Sequence, residues 1–220
     1  MGVITIERKV LEKNDEIAGR NRELFKKLGI LVLNLVSSPG AGKTSILEKT
    51  FQELRGTMNL AVIEGDVQTD LDAQRVAHYG VPVVQIVTMG GCHLEGNLIQ
   101  DALGKLNLNG IDVLFIENVG NLVCPSNYDL GEAAKVVVQS TTEGDDKPLK
   151  YPAMFRNSSI LVVNKIDLVP YVKCNLDVLK GNALKINPEL RIFETSCYTG
   201  VGIPEWCRWL KKGDAPLLIG

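Results

Sequence analysis

Residues 37–44 of the chain read SSPGAGKT, and the prediction of the fold starts from these eight residues. An apolar run rich in β-branched residues (30–36) precedes it, and a helix-forming segment (44–54) follows it. The length, the glycines and the Lys-Thr ending are typical of a phosphate-binding loop between a strand and a helix. The first position departs from that pattern, because Ser37 stands where a glycine is usual. A simple Gly/Ser turn that opens a helix is the structural alternative, and the strand–loop–helix context disfavours it.

Each part of this loop has a role in holding phosphate. Glycines at positions 40 and 42 let backbone N–H groups close around phosphate oxygens. Lys43 supplies a point charge for the β- and γ-phosphates, and the Thr44 hydroxyl suits Mg²⁺. The dipole of the helix that begins here adds to the attraction. The nucleotide-binding residues predicted in the loop are Gly40, Ala41, Gly42, Lys43, Thr44 and Ser45.

Outward from the loop, short apolar runs alternate with helical segments along the chain. Strands are predicted at 30–36, 60–64, 83–87, 112–117, 135–139, 160–163 and 191–194. Helices are predicted at 7–28, 44–54, 94–106, 175–186 and 204–211, and a surface loop at 141–151, which is charged and interrupted by Gly and Pro. This alternation predicts parallel βαβ units in an α/β fold. Every candidate motif directly follows a strand, where open α/β sheets bind their ligands.

The composition limits the class of protein. The 220 residues are 45% hydrophobic and 23% charged, which is enough for a sizeable core. The net charge of −2 gives no basic field for nucleic acid, and no window approaches the ~20 apolar residues that span a membrane. The start, MGVITIERKVLEKNDE, becomes charged too early for a secretory signal. We expect a cytoplasmic protein with an amphipathic N-terminal helical extension (1–28) and one P-loop nucleotide-binding domain (29–220).

A second motif, NKID at residues 164–167, directly follows a predicted strand. The Asp167 carboxylate can accept two hydrogen bonds, from N1–H and from the exocyclic amine of guanine, whereas adenine offers no such pair. Asn164 and the aliphatic part of Lys165 would support the base. The motif therefore predicts selection of GTP over ATP. Ser196 and Cys197, after the last strand, fit a companion loop that contacts the base, although such residues also occur in ordinary turns.

A third motif, ENVG at residues 117–120, stands where many GTPases have Asp-x-x-Gly. The Glu117 carboxylate would hold the Mg²⁺ shell, and the Gly120 N–H would sense the γ-phosphate. Asp66, at the end of the second strand, is a second candidate for binding Mg²⁺ or for positioning water. Asp70 follows it, and a solvated helix start explains this residue equally well. The candidate catalytic residues are Lys43, Asp66 and Glu117, and the candidate magnesium ligands are Thr44, Asp66 and Glu117.

Soft metal ligands are concentrated in two further segments. In GGCHLEG, residues 90–96, Cys92 stands beside His93, and a thiolate with an imidazole suits Zn²⁺ or Ni²⁺. Cys124 lies after Glu117 in a loop that would change shape with the γ-phosphate. Spacing alone leaves it equally open that these are unrelated buried cysteines and a surface histidine. Cys174, Cys207 and, as the alternative to a contact with the base, Cys197 are expected to be small packing residues.

Together these stretches resemble the HypB family, through SSPGAGKTS, EGDVQTDLDAQR, GGCHLEG, ENVGNLVCPSNYDLGE and NKIDL. HypB proteins are GTPase accessory proteins for nickel insertion into nickel–iron hydrogenase, and they are related to the urease accessory GTPase UreG. The resemblance covers roughly residues 30–200. It implies a P-loop NTPase of the SIMIBI class, with a mostly parallel central sheet and helices on both faces. Glu117 in place of Asp is similar to the family's own version of the motif.

The resemblance also implies ligands and partners. Cys92, His93 and Cys124 match the family's metal site, which is described as binding nickel or zinc near a dimer interface. It further implies GTP and Mg²⁺ as cofactors, a GTP-dependent homodimer, a HypA-like nickel chaperone and the hydrogenase large-subunit precursor as partners. Many relatives carry a Cys-rich N-terminal motif or a His-rich stretch, but this sequence has neither and contains only two histidines. Nickel transfer is therefore expected to depend on the three-residue site and a partner.

Three other functions stay open at this point. A urease-type accessory GTPase typically carries Cys-Pro-His after its Mg²⁺-site glutamate, and here Ser126 follows Cys124-Pro125. An ATP-using kinase is disfavoured by Asp167. A passive metal buffer, in which the nucleotide is only structural, would not need Lys43 for metal delivery.

Overall fold

The computed structural model of the chain describes residues 6–68 and 71–213, with side chains from Val10 onward. The strands of this part are β1 (Leu31–Ser37), β2 (Leu60–Asp66), β3 (Val83–Val87), β4 (Val113–Glu117), β5 (Ala134–Ser140), β6 (Ile160–Asn164) and β7 (Arg191–Glu194). Its helices are α1 (Ile6–Leu28), α2 (Lys43–Leu54), α3 (Leu71–Ala77), α4 (Gly96–Leu103), α5 (Lys147–Lys150), α6 (Pro152–Arg156), α7 (Leu176–Ile186) and α8 (Ile203–Lys212). The sequence argument against a secretory signal concerns the start of the chain, and the first five residues lie outside the described part.

The seven strands form one sheet in the order β3-β2-β4-β1-β5-β6-β7. Every neighbouring pair is parallel. The predicted parallel α/β sheet is therefore confirmed. The chain adds strands on one side of β1 first and on the other side afterwards, so the direction of winding changes there. Open sheets of this kind bind ligands beside that point, at the carboxyl ends of the strands.

Alternate residues of β1 pack on opposite faces of the sheet. Leu33 and Leu35 lie in the core that α2, α3 and α8 cover, where Trp206 is fully buried. Val32 belongs to the cluster beneath α1 and α4. Val36 belongs to the cluster beneath α6 and α7. Helices thus cover both faces, as predicted, and the indole N–H of Trp206 donates to the Thr50 hydroxyl at 3.0 Å.

The N-terminal helix α1 packs against the body of the domain, as its amphipathic pattern predicts. Phe25 is 3% exposed and lies in one cluster with Ile30, Leu94 and Leu103. Burial of an aromatic side chain of this size contributes roughly 2 kcal/mol or more. None of the described helices is both long enough and apolar enough to cross a membrane.

The prediction of a surface loop at 141–151 is wrong in part. Thr141–Glu143 forms a 3₁₀ turn, and Lys147–Lys150 forms α5. The turn begins with a capping box. The Glu143 carboxylate accepts a hydrogen bond from the backbone N–H of Ser140, and the Ser140 hydroxyl oxygen accepts one from the backbone N–H of Thr142. Pro148 stands in the first turn of α5, where its fixed φ suits a helix. In this segment Gly144 ends the 3₁₀ turn and Pro148 lies in the first turn of a helix, so neither residue excludes helical structure.

The helix predicted at 94–106 is shorter, because α4 runs only from Gly96 to Leu103. At its start, the backbone N–H of Leu94 donates to the side chain of Asn118, which fixes this residue outside the helix. At its end, Gly104 is the C-cap residue. The remaining predicted elements agree with the structure to within two residues.

Candidate functional site

The predicted phosphate loop connects β1 to α2 at the carboxyl edge of the sheet. Gly40 and Gly42 have φ values of +74° and +103°, a left-handed conformation that glycine adopts without strain. Lys43 is buried at the start of α2, and its Nζ donates to the Ser37 Oγ at 3.0 Å. The serine that departs from the usual pattern therefore holds the lysine within the loop.

The NKID motif contacts the phosphate loop directly. Asn164 ends β6, and its Nδ2 donates to the Ala41 carbonyl at 3.0 Å. Lys165 donates from Nζ to the Gly40 carbonyl at 2.8 Å, and its φ of +61° is unusual for a residue with a side chain. A Cβ atom added at Gly42 would lie 2.4 Å from Asn164 Nδ2. The two predicted motifs are thus joined by two hydrogen bonds, of which the one from Asn164 is buried, and by a close approach that only glycine permits.

A cavity of about 580 Å³ opens beside these motifs. The predicted residues Ser45, Asn164, Lys165, Asp167 and Cys197 line it. The hydroxyl of Ser196 donates to the Asp167 carboxylate, so this predicted residue joins the cavity through Asp167. Burial raises the pKa of the Cys197 thiol to about 11, which keeps the thiol protonated at neutral pH. The structure therefore brings the predicted base-contacting residues together around one space.

A second cavity, of about 250 Å³, lies between the phosphate loop and the ends of β2 and β4. The Thr44 hydroxyl donates to Oε1 of Glu117 at 2.7 Å. The other oxygen of Glu117 is buried and has no hydrogen-bond partner among the described residues. Asp66 lines the same cavity, as does Gly120, which lies against Pro39. Of the predicted magnesium ligands, Asp66 and Glu117 thus line one space beside the phosphate loop, and Thr44 is joined to it by its hydrogen bond to Glu117.

Glu64 also lines this second cavity, and sequence reasoning missed it. Burial, with the nearby charges of Glu117, Asp66 and Asp72, raises the pKa of Glu64 to about 8. Carboxylate oxygens of Glu64, Asp66 and Asp72 lie within 4.8 Å of one another, a grouping of oxygens that fits a hard divalent cation. The available signal was a glutamate inside an apolar strand sequence, LAVIEGD. Asp70, the other acidic candidate of this region, lies outside the described residues.

The two segments with soft ligands meet next to this edge. The ligand atoms of Cys92, His93 and Cys124 all lie within 4.8 Å of one another. Hydrogen bonding to Cys124 and burial raise the pKa of the Cys92 thiol. Burial lowers the pKa of His93, which favours the neutral imidazole that ligates metals. The ring of Tyr128, which sequence reasoning also missed, packs on His93 with 3.9 Å between ring centroids. The three predicted ligands therefore form one half-buried cluster.

Buried polar side chains connect the cluster to the end of β4. Asn118, directly after Glu117, accepts a hydrogen bond from the Leu94 N–H at 3.1 Å. Its Nδ2 donates to the Asn34 side chain at 3.3 Å, and Asn34 donates to Glu132 at 3.1 Å. Asn118 thus links the end of β4, next to the magnesium candidate Glu117, to Leu94, which directly follows His93.

Lys135 of β5 fixes the loop that follows Cys124. Its buried Nζ donates to the backbone carbonyls of Pro125, Ser126 and Tyr128 at 2.9–3.1 Å. Burial lowers the pKa of Lys135, and the Glu132 carboxylate lies 3.9 Å from its Nζ. A lysine inside the apolar strand sequence AKVVVQS was the signal that sequence reasoning did not use.

Comparison with known proteins identifies the family. Residues 31–194 match the family model described as CobW/HypB/UreG, nucleotide-binding domain. This chain belongs to the CobW/HypB/UreG family. Within that family it is similar to hydrogenase maturation factors HypB. It is 48% identical to HypB from Azotobacter vinelandii over 96% of this chain and 69% of that protein, and 48% identical to HypB from Escherichia coli (strain K12) over 95% and 72%.

Solved structures of HypB proteins share this fold. The crystal structure of HypB from Helicobacter pylori in complex with nickel has a TM-score of 0.89 at 39% identity, covering 94% of this chain and 99% of that one. The crystal structure of HypB from Archaeoglobus fulgidus has a TM-score of 0.85 at 36% identity, covering 91% and 98%. The nucleotide-binding P-loop fold expected from the HypB resemblance is therefore confirmed.

The close approach at Gly42 gives a first prediction. We expect Gly42→Ala to weaken nucleotide binding by at least about tenfold, because the new Cβ would displace Asn164 and the residue would be strained at positive φ. Titration with a fluorescent GDP analogue measures this affinity. Gly181→Ala is the matched control, since Gly181 lies in α7 with open space around it. Unchanged GDP affinity in Gly42→Ala would contradict the joint role of the two motifs.

Proposed function

We propose that this chain is a GTP-hydrolysing metallochaperone that binds nickel or zinc and drives nickel insertion into a hydrogenase large-subunit precursor. The observation that carries the proposal is the segment 117–124. At one end, Glu117 accepts a hydrogen bond from Thr44 of the phosphate loop. At the other end, Cys124 belongs to the cluster with Cys92 and His93. One short segment is thus part of both sites, so a change at the phosphate has a direct route to the thiol.

The comparisons support the metal and the acceptor in this proposal. Relatives at 48% identity are named hydrogenase maturation factors, and a HypB structure at 39% identity is described as a complex with nickel. Two thiols and a neutral imidazole suit nickel or zinc, and three protein ligands leave coordination positions for water, a partner or an acceptor. We propose that nickel is the cargo, received from a HypA-like chaperone.

The cavity beside the NKID motif supports GTP as the nucleotide. Asp167 lines this cavity, and the hydroxyl of Ser196 donates to one of its oxygens. A carboxylate held in this way accepts hydrogen bonds from the N1–H and the amine of guanine. The same carboxylate opposite adenine would face a ring nitrogen that has no hydrogen, so binding of ATP would leave an acceptor unpaired.

Hydrolysis uses the second cavity in this proposal. Thr44, Asp66 and Glu117 fit a Mg²⁺ ion, because one buried oxygen of Glu117 has no hydrogen-bond partner in the described part of the chain. Bound there, the ion would neutralise charge that develops on the phosphates. Lys43 would bring its charge to the β- and γ-phosphates, and the loop N–H groups would donate to their oxygens. Asp66 would orient the attacking water.

Nucleotide state would then control the metal. We propose that two GTP-bound copies pair near the cluster, and that hydrolysis moves the segment carrying Cys124 and weakens its hold on nickel. The nucleotide can bias release only by the difference in nickel affinity between the two states. We propose that residues 29–220 form a GTPase domain, that residues 1–28 form a helical extension to it, and that the protein acts in the cytoplasm.

A urease-type acceptor is the second candidate. A relative from Helicobacter hepaticus, 44% identical over 88% of this chain and 81% of its own length, is named hydrogenase/urease maturation factor HypB. Ser126 after Cys124-Pro125 counts against the Cys-Pro-His motif typical of UreG. Nickel transfer to an apo-urease and to a hydrogenase precursor, compared under the same conditions, distinguishes the two acceptors.

Guanine recognition can be tested by one substitution. We expect Asp167→Asn to weaken GTP binding by at least about a hundredfold, because the amide keeps only one acceptor oxygen and its NH₂ group would face the amine of guanine. The same variant should gain affinity for xanthosine triphosphate, whose C2 carbonyl can accept from the new amide. Equilibrium titration with both nucleotides measures this. Asp177→Asn, at an exposed position of α7, is the control. A variant that still prefers GTP would remove Asp167 from base recognition.

The role of the nucleotide in delivery can be tested at Lys43. We expect Lys43→Ala to retain its fold and nickel binding but to lose GTP hydrolysis by on the order of a hundredfold, because the charge on the phosphates is removed. Nickel transfer to the hydrogenase precursor, assayed with GTP, should fall in parallel. Lys211→Ala on the exposed part of α8 is the matched control. Intact delivery by Lys43→Ala would favour a passive metal buffer.

A further inference from the structure

Two buried asparagines of α1 contact both segments that carry the metal ligands. Asn14 and Asn21 are 4% and 2% exposed, although they belong to an otherwise amphipathic helix at the edge of the domain. Burying an amide is costly unless its hydrogen bonds are satisfied, and apolar side chains would attach the helix equally well. Two such residues on one docking face therefore call for a role beyond packing.

The side chain of Asn14 joins one segment to the other. Its Oδ1 accepts from the backbone N–H of Gly96 at 2.8 Å, and its Nδ2 donates to the backbone carbonyl of Asp129 at 2.8 Å. Gly96 begins α4, directly after the segment with Cys92 and His93. Asp129 lies in the loop that follows Cys124. One amide thus links the backbones on the two sides of the cluster.

Asn21 repeats this arrangement two turns further along α1. Its Nδ2 donates to the Gly96 carbonyl at 3.0 Å and to the Leu130 carbonyl at 3.2 Å. The loop backbone lies close against α1 here, because a Cβ added at Gly131 would be 2.7 Å from the carbonyl oxygen of Ala18. Both asparagines therefore hold Gly96 on one side and the 129–130 backbone on the other.

We infer that Asn14 and Asn21 are positioning residues for the metal cluster, which set the separation between the segment of Cys92 and His93 and the loop of Cys124. This inference rests on the proposed function, since it assigns these residues to the same nickel site. They touch no ligand atom and act through the backbone at each end. A soft site formed by two separate segments binds metal more tightly when those segments are already held at ligand distance, because less ordering then accompanies binding.

The inference gives a quantitative expectation for nickel affinity. Supporting residues of metal sites typically change affinity by 10–100-fold when they are removed. We expect Asn14→Ala and Asn21→Ala each to weaken Ni²⁺ binding by roughly tenfold. GDP affinity should stay unchanged, because the asparagines contact neither the phosphate loop nor the base cavity. A purely structural role in attaching α1 would lower the melting temperature without this selective loss.

The experiment is a competition titration of the full chain with Ni²⁺ against a coloured chelator. It includes the absorption band of the nickel–thiolate bond, the GDP affinity and the melting temperature of every variant. Phe25→Leu is the matched control, since it weakens the apolar docking of α1 while leaving both asparagines in place. Arg22→Gln is a milder variant for the case that the alanine variants do not fold. It removes the half-exposed ion pair with Asp129 and should also lower nickel affinity.

The outcomes separate this inference from the proposed function. Nickel affinity that falls in the asparagine variants but not in Phe25→Leu supports the inference. Wild-type nickel affinity in Asn14→Ala, Asn21→Ala and Arg22→Gln overturns it while leaving the proposed nickel site intact, provided that Cys92→Ala abolishes binding. Nickel binding that survives Cys92→Ala removes the proposed site itself, and the inference is overturned with it.

Discussion

Strand β4 ends at the buried Glu117, the buried Asn118 follows it, and both candidate sites depend on how these two residues are held. The backbone N–H of Asn118 donates to the Leu35 carbonyl at 2.9 Å, which fixes it to β1. Glu117 accepts from Thr44 on one side, and Asn118 accepts from Leu94 on the other. A buried hydrogen bond broken without replacement costs about 1–3 kcal/mol. Movement of Glu117 at the phosphate site would therefore strain the hydrogen bond between Asn118 and Leu94, which lies beside the metal cluster.

Three ionisable side chains are buried within the sheet, Glu64 in β2, Glu117 in β4 and Lys135 in β5. Burial raises the pKa of Glu64 and of Glu117 and lowers the pKa of Lys135, so each is held in an environment that opposes its charged form. A core built for stability alone would use apolar residues here. The cost of burying Lys135 is offset by its hydrogen bonds to three backbone carbonyls. The carboxylates of Glu64 and Glu117 line a cavity that fits a cation. Departures of this kind are expected at functional sites.

Sequence reasoning predicted those parts of the candidate site that are encoded locally. The phosphate loop, the NKID motif and the adjacent pair of Cys92 and His93 are short patterns, and parallel topology brings the segments after strand ends to one edge. Cys124 could be added because it follows Glu117 closely. The grouping of these residues in space is a consequence of the strand order, in which β4 lies beside β1 and β2.

Contacts between distant parts of the chain were not predictable in this way. Asn14 and Asn21 meet partners 75–115 residues away, and periodicity indicates only which face of a helix is buried. Glu64 and Lys135 interrupt apolar strands, and the sequence alone does not show which groups their side chains contact. The error at 141–151 has another cause, since a capping box and an N-terminal proline can begin a helix in a polar segment.

The proposed function requires that the bound nucleotide changes the affinity of the protein for nickel, and a titration in two nucleotide states measures this change. The full chain is titrated with Ni²⁺ in the GDP-bound state and in complex with a non-hydrolysable GTP analogue, with Cys92→Ala as control. We predict that nickel affinity differs between the two states by at least about fivefold, the lower end of typical coupling between sites, and that the difference is lost in the control. Equal nickel affinities in the two states would contradict the claim and would leave GTP to control only dimerisation or the choice of partner.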